Sequence, residues 1–174
     1  MSDPLERMAR STDWTERASA ARQLARRAPG DAEEIVLRLL RDPGSTEVSQ
    51  TMVAALLEAR REGAVRLLLR SLGQDEGGAE TTQCILEGLL SSELDGVEMR
   101  AALLSVLQEA GERHELLGAL RAIGWLAPSG GFPAPPEAFA HVSELSNDSD
   151  AAIRAAAQRA LTALSSQWRQ PDVP

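Results

Sequence analysis

Leu145-Ser146-Asn147-Asp148-Ser149-Asp150-Ala151-Ala152-Ile153-Arg154, followed by Ala157 and Leu161, is the stretch on which the fold turns. It holds a segment ending in leucine, an acidic turn, and a segment whose apolar residues Ile153, Ala157 and Leu161 fall four apart. That spacing traces one stripe of an α-helix, drifting about 40° per step at 3.6 residues per turn. The same frame recurs upstream. Asp13 precedes Glu16-Arg17, Ala20 and Leu24, and Leu39-Leu40-Arg41-Asp42 precedes Val48, Met52 and Leu56. Leu68, Leu69, Leu72 and Asp75 precede Thr81, Ile85 and Leu89. Leu116 and Leu120 keep the frame in a fourth unit, where Gly124 takes the third position. The register residues 16, 48, 81, 116 and 153 are therefore spaced by 32, 33, 35 and 37 residues. Self-similarity at such a period marks a repeat of helix pairs.

Punctuation between the units supports the same reading. Asp3-Pro4 places a capping residue before a first-turn proline and opens a short helix to about residue 11. Thr12 or Asp13 opens a second that runs to Ala28, before Pro29-Gly30. Asp31 caps a third, which stops at Asp42-Pro43-Gly44, and Ser45 or Thr46 opens a fourth that ends near Gly63. Further helices are expected over 64–72, 79–90, 96–110, 112–127, 137–146 and 150–167. The segment 128–136 is dense in proline and glycine, and no helix can run through it. No sustained apolar/polar alternation marks a strand, and the composition is rich in strong helix formers. The fold class is all-α, with ten helices in five antiparallel pairs.

The string 145–161 resembles a HEAT-type repeat, in which the first helix ends in leucines, an Asp-containing turn follows, and the second helix starts Val/Ile-Arg. In helix pairs the resemblance spans nearly the whole chain; in motif it is fullest in the fifth unit and clear in the first two. The motif's Asp and Arg occur together as Asp13/Arg17 and Asp150/Arg154, each an i,i+4 pair on a first turn where the Asp can also cap. Ser49, Thr82 and Leu117 stand in place of the arginine in the middle units. The chain thus looks like a HEAT-like, armadillo-type α-solenoid of bacterial kind. That resemblance implies a single domain with units at about 1–29, 30–62, 63–94, 95–128 and 136–168, an insertion loop at 128–136 and a polar tail at 169–174. Close stacking of such pairs calls for small residues, and Ala18, Ala20, Ala21, Ala155, Ala156 and Ala157 supply them. Trp14 and Trp168, at the two ends, are expected to pack as caps.

Chemistry is sparse. The two histidines, His114 and His141, lie in different units without metal-ligand spacing, and the one cysteine, Cys84, sits beside Ile85 on an apolar helix. Phosphate-cradling and nucleophile-elbow motifs are missing, so no catalytic residue, no metal and no cofactor is expected. No apolar run approaches the ~18–20 residues of a membrane span, and nothing resembles a signal peptide, so a cytoplasmic, membrane-free protein is expected.

Charge is more informative. The chain of 174 residues carries 18 basic residues, all arginine, against 26 acidic ones, a formal net charge of −8. Residues 1–70 hold 12 arginines and 11 acids, whereas residues 71–174 hold 6 and 15. Arg17, Arg22, Arg26 and Arg27 cluster on one helix, either as a reader of an anionic ligand, for which Arg22 and Arg26 are the candidates, or as a solvated face balanced by Glu16, Glu33 and Glu34. Offsets 5 and 9 on the second helices project about 140–180° from the core stripe. In the middle units they carry Val53, Leu57, Leu86, Leu90 and Trp125, which either form an apolar groove on the concave side that second helices of HEAT-like arrays line or are buried by the helices on either side, since a middle unit has two neighbours. Phe132, in the Pro/Gly loop, is a further contact candidate.

These features lead to a non-enzymatic scaffold or adaptor that presents a concave helical surface to a basic or amphipathic protein partner. An inhibitor or immunity-type protein for a basic enzyme is one version. The alternative is a HEAT-like nucleic-acid-binding or DNA-base-processing protein using the N-terminal arginines, against which the net acidity weighs. The oligomeric state stays open.

Overall fold

The computed structural model describes residues 3–27, 32–59, 63–74, 79–91, 96–109, 112–128 and 136–167, with side chains except at 79–80, 90–91, 96–100 and 167. Among the described residues there are ten helices and no strand: α1 Pro4–Ala9, α2 Trp14–Arg26, α3 Glu33–Leu40, α4 Thr46–Ala59, α5 Ala64–Gly73, α6 Ala79–Ser91, α7 Gly96–Gln108, α8 Arg113–Leu126, α9 Pro136–Leu145 and α10 Ala151–Gln167. Their ends lie where the breakers place them. The caps are those of the sequence as well. Asp3 Oδ1 accepts from the Leu5 amide at 3.0 Å, and Asp13 Oδ1 from the Thr15 amide at 2.8 Å. Asp150 Oδ1 accepts from the Ala152 amide at 2.8 Å. Gly63, at φ 85°, makes the left-handed entry to α5 that a side chain would strain. α3 is the exception: its cap position is Ala32, which makes no side-chain cap hydrogen bond, and the expected Asp31 lies outside the described residues.

Two rows of contacts run through the molecule. The odd-numbered helices each touch the next odd one from α1 to α9, and the even-numbered helices do the same from α2 to α10. Across the two rows, α1 touches α2, α3 touches α4, α5 touches α6, α7 touches α8, and α9 touches α10. One core threads the whole. It is built from alanine and aliphatic residues: Ala20, Ala21 and Leu24 of α2, Val48, Met52 and Leu56 of α4, Leu68, Leu69 and Leu72 of α5, and Leu117, Leu120 and Ile123 of α8.

The starts of α2 and α10 share a hydrogen-bond set that explains why both keep Asp and Arg four apart. Arg17 Nη1 donates to the carbonyls of Ser11 and Thr12, and Arg154 Nη1 to those of Asp148 and Ser149, at the same offsets. In each case the Asp caps the helix while the Arg ties the incoming turn to its first face. The expected Asp13–Arg17 pair gives way to a longer reach: Arg17 makes a bidentate pair with Asp42, at 2.6 and 3.0 Å, joining α2 to the turn before α4. Ser49, which holds the arginine's place in the second unit, is buried with its hydroxyl unpartnered among the described residues.

The most extensive helix contact among the described residues is not between helices adjacent in sequence. It joins α5 to α8, and exceeds the contact of α5 with α6. Two glycines make it possible: a methyl at Gly118 would overlap the Leu69 carbonyl, and one at Gly73 the carbonyl of His114. The backbones meet directly there, and a charge cluster closes the seam. Arg70 of α5 pairs with Glu33 of α3 and with Glu112 and Glu115 on the α8 side, the last two at 3.1 and 2.6 Å. Arg66 pairs with Glu109.

Candidate functional site

α2 and α4 lie side by side in the even row, their alanine and valine faces turned into the core. Their outer faces leave a furrow. Arg22 and Arg26 project from α2, one turn apart. Thr51, Ala54, Ala55 and Glu58 stand on one stripe of α4, at the spacing that a helix repeats on one side. Together these six side chains enclose an open cavity of about 220 Å³. Ala54, exposed, and Ala55, half-buried, line it with methyl groups, which leave open the space that a leucine would fill.

The four arginines grouped on α2 by sequence separate here. Arg17 is buried on Asp42, and Arg27 pairs with Asp3 at 3.2 Å. Arg22 and Arg26 are exposed, and among the described residues neither has an ion pair or hydrogen bond. Glu58 shares the cavity without pairing to either. Arg10 pairs with Glu6, while Arg7 and Arg38 are, like Arg22 and Arg26, exposed without an ion pair among the described residues. A guanidinium offers five donors in a planar fork, which match the geometry of a carboxylate or phosphate oxygen pair.

The apolar groove expected on the middle second helices is not open. Val53 and Leu86 are buried, at 3% and 5% exposure. The reason is packing between successive second helices: α4 meets α6 at Gly88, where a methyl would run into the Val53 side chain and come up against Leu57. The face 140–180° from the core stripe is thus turned to the neighbouring second helix, and Val53 and Leu86 are withdrawn as partner-binding residues. Leu57 and Trp125 are half-buried against the core. Phe132, Trp168 and the side chain of Leu90 lie outside the described residues. Trp14, expected to pack as a cap, is 49% exposed at the start of α2, and Phe139 of α9 is 39% exposed.

No family model, curated protein or solved structure matches the chain.

Chemistry elsewhere is thin. Among the described residues, no three His, Cys, Asp or Glu side chains stand where they would hold a metal ion. Burial, aided by Glu87, pushes the Cys84 thiol above its ordinary range, the opposite of what a nucleophile needs. His141 Nδ1 lies 3.9 Å from Glu144, and His114 stands on α8 away from it. No described helix is long and apolar enough to cross a membrane. Sequence reading singled out Arg22 and Arg26 but missed Thr51, Ala54, Ala55 and Glu58. Their signal was present as a small and polar stripe on an otherwise apolar helix.

Proposed function

We propose that the chain is a non-enzymatic protein-binding scaffold of HEAT-like helix pairs, and that its partner seats on the α2–α4 face. The observation that carries this reading is the pair of unpartnered arginines, Arg22 and Arg26, beside a cavity floored by alanines. Two contact rows and the shared capping set of the first and fifth units support the repeat resemblance. An array of this kind holds a surface rigidly, which limits the ordering cost of binding. The acidic excess after residue 70 suits a second, basic stretch of the same amphipathic partner.

Nucleic acid is the weaker reading on charge. Neutralising two phosphates gives a salt slope of only about −2, too shallow to carry affinity against a net charge of −8. The test is a quantitative purification of tagged protein from cells that naturally make it, with Arg22→Glu/Arg26→Glu in parallel. A protein enriched with the wild type and lost from the double variant supports the scaffold. Nuclease-sensitive nucleic acid in place of a protein would overturn it.

A further inference from the structure

Resting on that scaffold reading, we infer that the α2–α4 cavity is a carboxylate site, which takes an acidic side chain from a partner segment lying along the furrow. Arg22 and Arg26 sit four residues apart on α2, a rise of about 6 Å, so both guanidinium groups can close on one carboxylate from the same wall. Arginine is weakly hydrated for a cation and gives up its water at modest cost when a planar anion replaces it. The Ala54 and Ala55 methyl groups offer an apolar floor to the stem of a glutamate or aspartate, while Thr51 adds a hydroxyl.

Glu58 decides between anions. Standing in the same cavity, it repels a ligand of charge beyond one and favours a segment whose next residue is neutral or basic. A phosphate, or a polyphosphate backbone, meets that repulsion together with the chain's net −8. A single carboxylate flanked by a cation does not. The site is therefore read by local charge order, acidic toward α2 and basic toward the Glu58 side.

Fluorescence anisotropy with the full chain tests this. The probe is a short labelled peptide bearing a single glutamate flanked by neutral residues. Its glutamine counterpart, a short DNA duplex and inorganic phosphate serve as competitors. Wild-type protein is expected to bind the glutamate peptide, and the glutamine peptide about tenfold more weakly. Arg22→Gln/Arg26→Gln is expected to lose about tenfold as well. Ala54→Leu leaves every charge in place and fills the floor of the cavity. It is expected to weaken binding too, whereas general electrostatic attraction would survive it. Glu58→Gln is expected to tighten binding of the glutamate peptide. All four positions are surface ones, and circular dichroism melts check that the variants stay folded. Binding that persists in Ala54→Leu, or competition by duplex or phosphate equal to that of the peptide, would overturn the carboxylate assignment. If the peptide fails to bind while the co-purifying protein is still lost from Arg22→Glu/Arg26→Glu, this inference falls and the scaffold reading stands.

Discussion

Replacing Gly118 with alanine probes the close contact between α5 and α8. Gly118 lies in the middle of α8, and its added methyl would meet the carbonyl of Leu69. That neighbour is backbone and cannot rotate away, so α5 and α8 must separate along a seam that buries Leu68, Leu69, Leu72, Leu117 and Leu120. Overpacking of this kind costs up to about 3 kcal/mol. Alanine returns about 1 kcal/mol through better helix propensity. The net expectation is a loss of about 2 kcal/mol. Gly124, six residues along the same helix, supplies the internal control. Its nearest neighbours would be backbone atoms of Ala160 at 3.8 Å, an ordinary contact. Gly124→Ala is therefore expected to keep the propensity gain and stabilise by up to about 1 kcal/mol. Urea unfolding followed by circular dichroism reads both, with the midpoints compared at constant slope. A Gly118→Ala protein as stable as wild type, or two variants shifting in the same direction, would refute the close α5–α8 approach.

Three other outcomes follow from side-chain geometry. Arg17→Met strands the Asp42 carboxylate, whose side chain is only 6% exposed, and is expected to cost about 3–5 kcal/mol in thermal or urea unfolding. Adding Asp42→Asn should recover part of that loss, because the buried charge goes with its partner. Ser49→Ala removes a buried hydroxyl without a partner and is expected to stabilise by about 1 kcal/mol in the same assay. The Arg113 guanidinium, with help from the Ala152 amide, holds the Asp150 carboxyl down from 3.8 to about 2. A carboxyl depressed in the folded state contributes stability that is complete above its ordinary range and is lost as pH falls through about 2. Titration of Asp150 by NMR in Arg113→Gln should show its pKa rising back toward 3.8; an unmoved value would refute the pairing.

Helix positions were legible because their punctuation is local. Asp3, Asp13 and Asp150 cap where a short polar side chain is expected to cap, and Asp42-Pro43-Gly44 ends a helix by chain stereochemistry alone. Pairings across the chain were not. Nothing near Arg17 announces that Asp13 is taken by Thr15, leaving the guanidinium to reach Asp42. Gly73 and Gly118 look like helix weaknesses until α5 and α8 meet, and only the contact turns them into a seam. The failed groove has a related cause: offsets along a helix say which residues share a face but not which helix covers it. Val53 and Leu86 were readable as open or as buried for that reason. For the site, sequence supplied four arginines in a cluster, and the fold sorted them by giving Asp42 to Arg17 and Asp3 to Arg27.

The central claim is that the α2–α4 furrow receives a protein. Site-specific photo-crosslinking tests it most directly, with a photoreactive residue placed at Thr51 inside the furrow and, in a separate protein, at Phe139 on α9. Irradiation in cells that naturally make the chain should give one discrete protein adduct from position 51, abolished by Arg22→Glu/Arg26→Glu, and no such adduct from position 139. An adduct at 139 with none at 51, or one at 51 that survives the charge reversal, would contradict the account.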